Sequence, residues 1–139
     1  MQALIIIDIQ NDYFPGGKME LCGSEAAASN AALLLKAFRE AGKPVFHVQL
    51  ISLAPTATFF LPGTTGALIH ESLAPLTGET VVEKHFPNSF RDTPLLGLLQ
   101  AQNITDIAIA GMMTHMCVIF CAWSRPSRGV SRLNKKQKR

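Results

Sequence analysis

At 139 residues the chain has the length of a single domain, and 47% hydrophobic against 17% charged residues excludes a disordered chain. No apolar run approaches the ~20 residues of a membrane-spanning helix, and Met1-Gln2-Ala3 leads straight into LIIID without the cationic start of a secretory leader. The net charge of +3 is uneven: residues 125–139 hold seven of the thirteen Lys and Arg and no acid, leaving six cations against ten acids, net −4, in residues 1–124.

Residues 3–8 (ALIIID) form a continuous apolar run ending in a carboxylate, the pattern of a strand covered on both faces. Asn11, Asp12, Pro15, Gly16 and Gly17 then predict a loop. Ser24 is positioned to cap a helix over 25–41, with Ala27, Ala31, Leu34, Leu35, Phe38 and Ala41 on one face and Gly42 as its stop. VFHVQL is a second strand. Residues 52–79, punctuated by prolines and glycines, form a long irregular segment, which in a compact domain is usually a lid or a substrate wall. Within it Phe59, Phe60 and Leu61 suggest an apolar wall. Thr80–Glu83 predicts a short third strand ending at Lys84. Thr93 caps a second helix with Pro94 at its first position, running to about Gln102. Asp106–Ala110 is a fourth strand, Gly111 opens a turn, and a further helix starts near His115 to Cys117.

Strands alternating with helices imply an α/β fold, a three-layer α/β/α arrangement around a mostly parallel, Rossmann-like sheet. Such sheets bind ligands at the carboxyl ends of their strands. Asp8, Lys84 and Cys117 each fall at or just beyond such an end. A thiol at a helix N-terminus has its pKa lowered by the helix dipole, and the free amides of the first turn can bind an oxyanion. The alternative for Cys117 is a small buried hydrophobe. Asp8 can accept the thiol proton or simply cap a loop. Lys84 can stabilise carboxylate and thiolate or stand solvated at a strand end. Cys121 lies four residues beyond Cys117, too far for a CxxC redox motif, and the two alone are too little for a metal site. With Cys22 the cysteines make an odd, irregular set, which fits a reducing cytoplasm better than a secreted disulfide framework.

DIQNDYF, PGTTGALIH, EKHFPNSF and GMMTHMCV together resemble the isochorismatase-like cysteine hydrolases over residues 3–118. The resemblance implies a catalytic triad of Asp8, Lys84 and Cys117. It also implies a non-proline cis peptide at Met112–Met113 and an oxyanion hole from the Met113 and Cys117 amides. Gln10, Phe14, Phe60, Asn88 and His115 become substrate-lining candidates. The implied activity is hydrolysis of a small amide, carbamoyl or isochorismate-like compound, without a cofactor. Some members carry an Asp-x-His-x-x-His metal set; between His47 and His70 there is no Asp, so no metal is expected. His47 is expected as a hydrogen-bonded strand residue and His70 as a loop residue.

After Val118 the sequence changes character. IFCAWSRPSRGVSRLNKKQKR is basic, and Pro126 and Gly129 interrupt any long helix. The expectation is an incomplete hydrolase domain over 1–123, its last strands missing through truncation or a shifted reading frame, followed by a disordered tail over 124–139. A bared sheet edge would favour homo-oligomers. A second reading is an inactive remnant serving as an interaction protein. A third gives the tail a nucleic-acid role, but no nucleic-acid fold motif accompanies it, so neither specific nucleic-acid nor membrane binding is expected.

Overall fold

The structure is a computed structural model that describes residues 1–112. Met113, His115, Cys117, Cys121, the Met112–Met113 peptide and the basic tail therefore lie outside the described residues.

Strands β1 (Gln2–Ile7), β2 (Val45–Leu50), β3 (Thr80–Lys84) and β4 (Asp106–Gly111) form one sheet in the order β3-β2-β1-β4. Every pairing is parallel, as the alternating pattern predicts. Helix α1 (Ser24–Glu40) links β1 to β2, and α2 (Leu95–Ala101) precedes β4. The apolar run of β1 is explained by its central place. Leu4 and Ile6 face Ala28, Ala31, Leu35 and Phe38 of α1. Ala3, Ile5 and Ile7 face the other way, into Phe46, Val48, Val82 and the α2 residues Leu95 and Leu99. Helices thus cover both faces, giving the three layers expected.

After β3 the chain crosses back over β2 and β1 to place β4 on the far side of β1. The order of strands reverses there, and the carboxyl ends of the strands flanking such a reversal are where open parallel sheets generally bind ligands. At this point the backbones are close: a Cβ on Gly111 would meet the Ile7 carbonyl oxygen at 2.4 Å, so only glycine fits.

Two helix starts differ from expectation. Ser24 is the first helical residue of α1 and is buried, and the cap is Gly23 at φ +74°, a left-handed turn that glycine enters without penalty. Leu95 begins α2 and Pro94 precedes it, one residue later than predicted. Thr93 Oγ1 accepts the Leu95 amide at 3.5 Å, a long capping contact in the place expected, and also donates to the Ser89 carbonyl at 2.5 Å, tying the helix start to the segment after β3. The segment 52–79 is irregular as predicted, apart from single turns at Thr65–Ala67 and Glu71–Leu73.

Candidate active site

Asp8 follows the last residue of β1, and its amide still bonds the Val48 carbonyl of β2 at 3.0 Å. Its φ of +59° then turns the chain out of the sheet. This left-handed conformation is uncommon outside glycine and, in a buried residue, is held by its surroundings. The carboxylate has no solvent exposure.

Lys84, the last residue of β3, reaches across the end of β2 to place Nζ 3.3 Å from Asp8 Oδ2, and it too is fully buried. The ammonium also donates to the Pro87 carbonyl at 3.0 Å and to Ser89 Oγ at 3.2 Å. Burying two charges costs several kcal/mol per ion unless each is paired and its remaining hydrogen bonds are met. The turn after β3, HFPNS, supplies those bonds to Lys84. A carboxylate and an ammonium are thus fixed together at the carboxyl end of a parallel sheet, one able to take a proton and the other able to stabilise an anion beside it.

The substrate-lining candidates divide. Gln10 is fully buried, and its carboxamide is occupied: Nε2 donates to the carbonyls of Leu50 at 2.8 Å and Ala67 at 2.7 Å, and Oε1 accepts the Leu50 amide at 2.8 Å. Phe14 is buried and stacks on His70, with ring centroids 3.8 Å apart. Phe60 is wholly buried and set edge-on to Tyr13 at 4.6 Å, so its ring anchors the loop in the core. Asn88 is half-buried, and its Oδ1 accepts the Phe90 amide at 3.0 Å, shaping the turn that carries Ser89. His115, Met113 and Cys117 lie outside the described residues. His47 bonds Glu79 Oε1 through Nε2 at 2.8 Å, and His70 bonds Ser72 Oγ through Nδ1 at 2.7 Å, in the strand and loop roles expected of them.

Sequence reasoning passed over several residues. Asp12 is buried and accepts two backbone amides, Lys18 at 3.1 Å through Oδ1 and Phe60 at 2.7 Å through Oδ2. Gly66 lies against that carboxylate: a Cβ there would fall 2.1 Å from Oδ1. Asn11 Nδ2 donates to the Thr65 carbonyl at 2.9 Å, and Gln49 Nε2 shares the Ala67 carbonyl at 2.8 Å. The triplet Gln10-Asn11-Asp12 therefore moors the turn Thr65–Ala67 and the Phe60 segment beside Asp8. Loop composition gives no sign of this, because an Asx residue in a solvated loop reads the same.

The Isochorismatase domain matches residues 2–130, a span that runs twelve residues beyond Val118. An uncharacterised isochorismatase family protein of Bacillus subtilis is 56% identical over 116 residues, covering 84% of this chain and 64% of that protein. The maleamate amidohydrolase of Pseudomonas putida is 31% identical over 130 residues, covering 84% of this chain and 61% of that enzyme. The crystal structure of an isochorismatase from Pseudomonas putida superposes with a TM-score of 0.78 at 37% identity, covering 86% of this chain and 60% of that one. The chain thus spans slightly less than two thirds of the length of these relatives.

Proposed function

The chain belongs to the isochorismatase family, and from that premise we propose that it supplies the Asp8–Lys84–Cys117 centre of a hydrolase for small amides or carbamoyl compounds. The observation that carries the reading is the buried Asp8–Lys84 pair at the carboxyl ends of the parallel strands, 3.3 Å apart. The amidohydrolase among the relatives supports an amide as the substrate class.

In the proposed reaction Asp8 takes the proton of the Cys117 thiol, and Lys84 stabilises the resulting thiolate. The sulfur attacks the substrate carbonyl carbon. The amides of Met113 and Cys117 hold the oxyanion that forms. Asp8 returns its proton to the departing nitrogen, the C–N bond breaks, and a thioester remains. Water then loses a proton to Asp8 and attacks the thioester, releasing the acid, and the proton returns to Cys117. An isochorismate-like vinyl ether is the other substrate chemistry the proposal admits. The working form is taken as an assembly of copies, which sedimentation would read.

The test is the rate of Cys117 alkylation by iodoacetamide against pH, with Cys22 and Cys121 as internal controls. The expected apparent pKa at Cys117 lies well below the ~8.5 of a free thiol. Labelling no faster than the controls would end the reading in favour of a non-catalytic role. Cys117→Ala should abolish hydrolysis of a maleamate-type amide with the fold intact. Asp8→Asn should slow it by several powers of ten if protons pass through that carboxylate.

A further inference from the structure

The turn at Asp8 leaves a gap in the sheet. In a parallel ladder, the amide and carbonyl of one strand residue both point to the same neighbouring strand. Leu50, the last residue of β2, points both toward β1. The neighbouring chain has already left the sheet there, because Asp8 has φ +59° and the last β1 residue in register is Ile7, opposite Val48. Both Leu50 groups are met by one side chain. Gln10 Oε1 accepts the Leu50 amide and Gln10 Nε2 donates to the Leu50 carbonyl, each at 2.8 Å.

Leu50 also stands in register with Lys84, and the next amide, Ile51, bonds the Lys84 carbonyl at 2.9 Å. A continuous series of hydrogen bonds therefore runs from the Asp8 turn, through the Gln10 carboxamide and the end of β2, to the residue that carries the ammonium. Parallel strands without this crosslink would be free to splay at their ends, at the point where the pair must hold its separation.

We infer that Gln10 is a positioning residue: its carboxamide replaces the ladder bonds that the turn at Asp8 removes, and so sets the distance between the Asp8 carboxylate and the Lys84 ammonium. The inference deepens the function proposed above and assigns Gln10 to the geometry of the pair instead of to substrate contact. A misplacement of about 1 Å between reacting groups can cost 100-fold in rate, which is the scale at which such a crosslink matters.

The test uses Gln10→Met, which removes every bond at nearly the same volume, and Gln10→Glu, which in its protonated form keeps the acceptor for the Leu50 amide and one donor for the two carbonyls. The first readout does not involve Cys117. Lys84 is labelled with acetic anhydride under native conditions, with Lys18, Lys36 and Lys43 as exposed references. Leu35→Ala, a core change on α1, serves as a control for general destabilisation. Expected is labelling of Lys84 about tenfold faster in Gln10→Met, with Gln10→Glu between it and the parent and the Leu35→Ala control slow. The second readout is the pH profile of Cys117 alkylation, which should shift to higher pH in Gln10→Met and lose ~10- to 100-fold in rate near neutrality. Lys84 labelling that follows only the loss of stability, equally in the control, would overturn the inference. So would a Cys117 profile that keeps its midpoint in both variants. A parent chain whose Cys117 is no more reactive than Cys22 would defeat the proposed function, while the Lys84 labelling would still decide the role of Gln10. If Gln10→Met fails to fold, the Gln10→Glu labelling and profile decide alone.

Discussion

At the scale of single residues the buried pair sets the energetics of the site. Asp8 and Lys84 are both without solvent exposure, and the ammonium lies against oxygens of Asp8, Pro87 and Ser89. Removing one member of such a pair strands the other charge in a low dielectric and typically costs 3–5 kcal/mol, whereas replacing both can be nearly neutral. Lys84→Met should therefore destabilise the fold by about 3–5 kcal/mol in denaturant unfolding, and adding Asp8→Asn should restore most of that loss. Strictly additive effects in this double-mutant cycle would mean that the two charges do not depend on each other. The two charges were legible as strand ends, Asp8 closing the apolar run 3–7 and Lys84 closing the short strand TVVE, and the family-like motifs DIQNDYF and EKHFPNSF joined them. The role of Gln10 was not legible. A polar residue two positions past a strand-terminal carboxylate reads as a ligand contact, and its actual partner, the backbone of Leu50, is forty residues away and is brought beside it only by the sheet.

At the scale of elements, the loop 52–79 is held against residues 10–12 by bonds at a few points. Ser52 donates its amide to the Phe60 carbonyl at 2.8 Å, closing a lobe over residues 53–59, while the Phe60 amide is bound by Asp12 at 2.7 Å. Phe60 itself has φ +55°, a strained state for an aromatic residue that persists because both of its backbone groups and its ring are fixed. Asp12→Ala would leave the Phe60 amide buried without its acceptor, a loss of about 1–3 kcal/mol for that donor alone. The expected result is lower stability together with faster protease cleavage within 53–59. An unchanged cleavage rate would show that the Ser52–Phe60 bond and the aromatic contacts suffice without Asp12. Length and composition foretold that this segment is a long loop. They did not foretell its anchoring, since the positive φ at Phe60 and the fit of Gly66 against a carboxylate arise only when the loop meets residues 10–12. The start of α1 differed for a related reason: Ser24 has a capping side chain, but Gly23 already supplies the left-handed turn, and Ser24 enters the first turn of α1.

At the scale of the whole molecule, one acidic residue joins α1, β2 and the entry to β3. The Glu79 carboxylate pairs with Arg39 of α1 through two bonds of 2.7 Å, with His47 of β2 at 2.8 Å, and with the Leu76 amide at 3.0 Å. Burial alone would push its pKa up, but Arg39, Leu76 and His47 outweigh that effect and bring it down from 4.5 to about 2. The His47 pKa moves down from its ordinary 6.5, chiefly through burial, against the opposing pull of Glu79. Its Nδ1 has no hydrogen-bond partner among the described residues, so protonating that atom would bury an N–H with no acceptor. Both groups act in the same direction on stability. The folded state binds each proton more weakly than the unfolded chain does, so each contribution is complete above the unfolded pKa and fades as pH falls. For His47 the loss begins below about pH 6.5, and for Glu79 it runs from 4.5 down to about 2. The tenfold-per-pH weighting of proton binding makes the Glu79 part on the order of 3 kcal/mol. The melting temperature should therefore be nearly flat above pH 7 as far as these groups are concerned and should fall steadily below 6.5. Glu79→Gln should lower the plateau and flatten the slope between pH 4.5 and 2, because the variant has no carboxyl to protonate. A parent chain whose melting temperature holds constant from about pH 6.5 to about 3, or a Glu79→Gln variant that keeps the full acid slope, would show that this cluster does not govern the acid stability of the fold. The cluster lies where β2 and β3 begin, at the end of the sheet opposite Asp8 and Lys84, so its acid loss should lower the stability of the fold without any direct contact with the 3.3 Å pair.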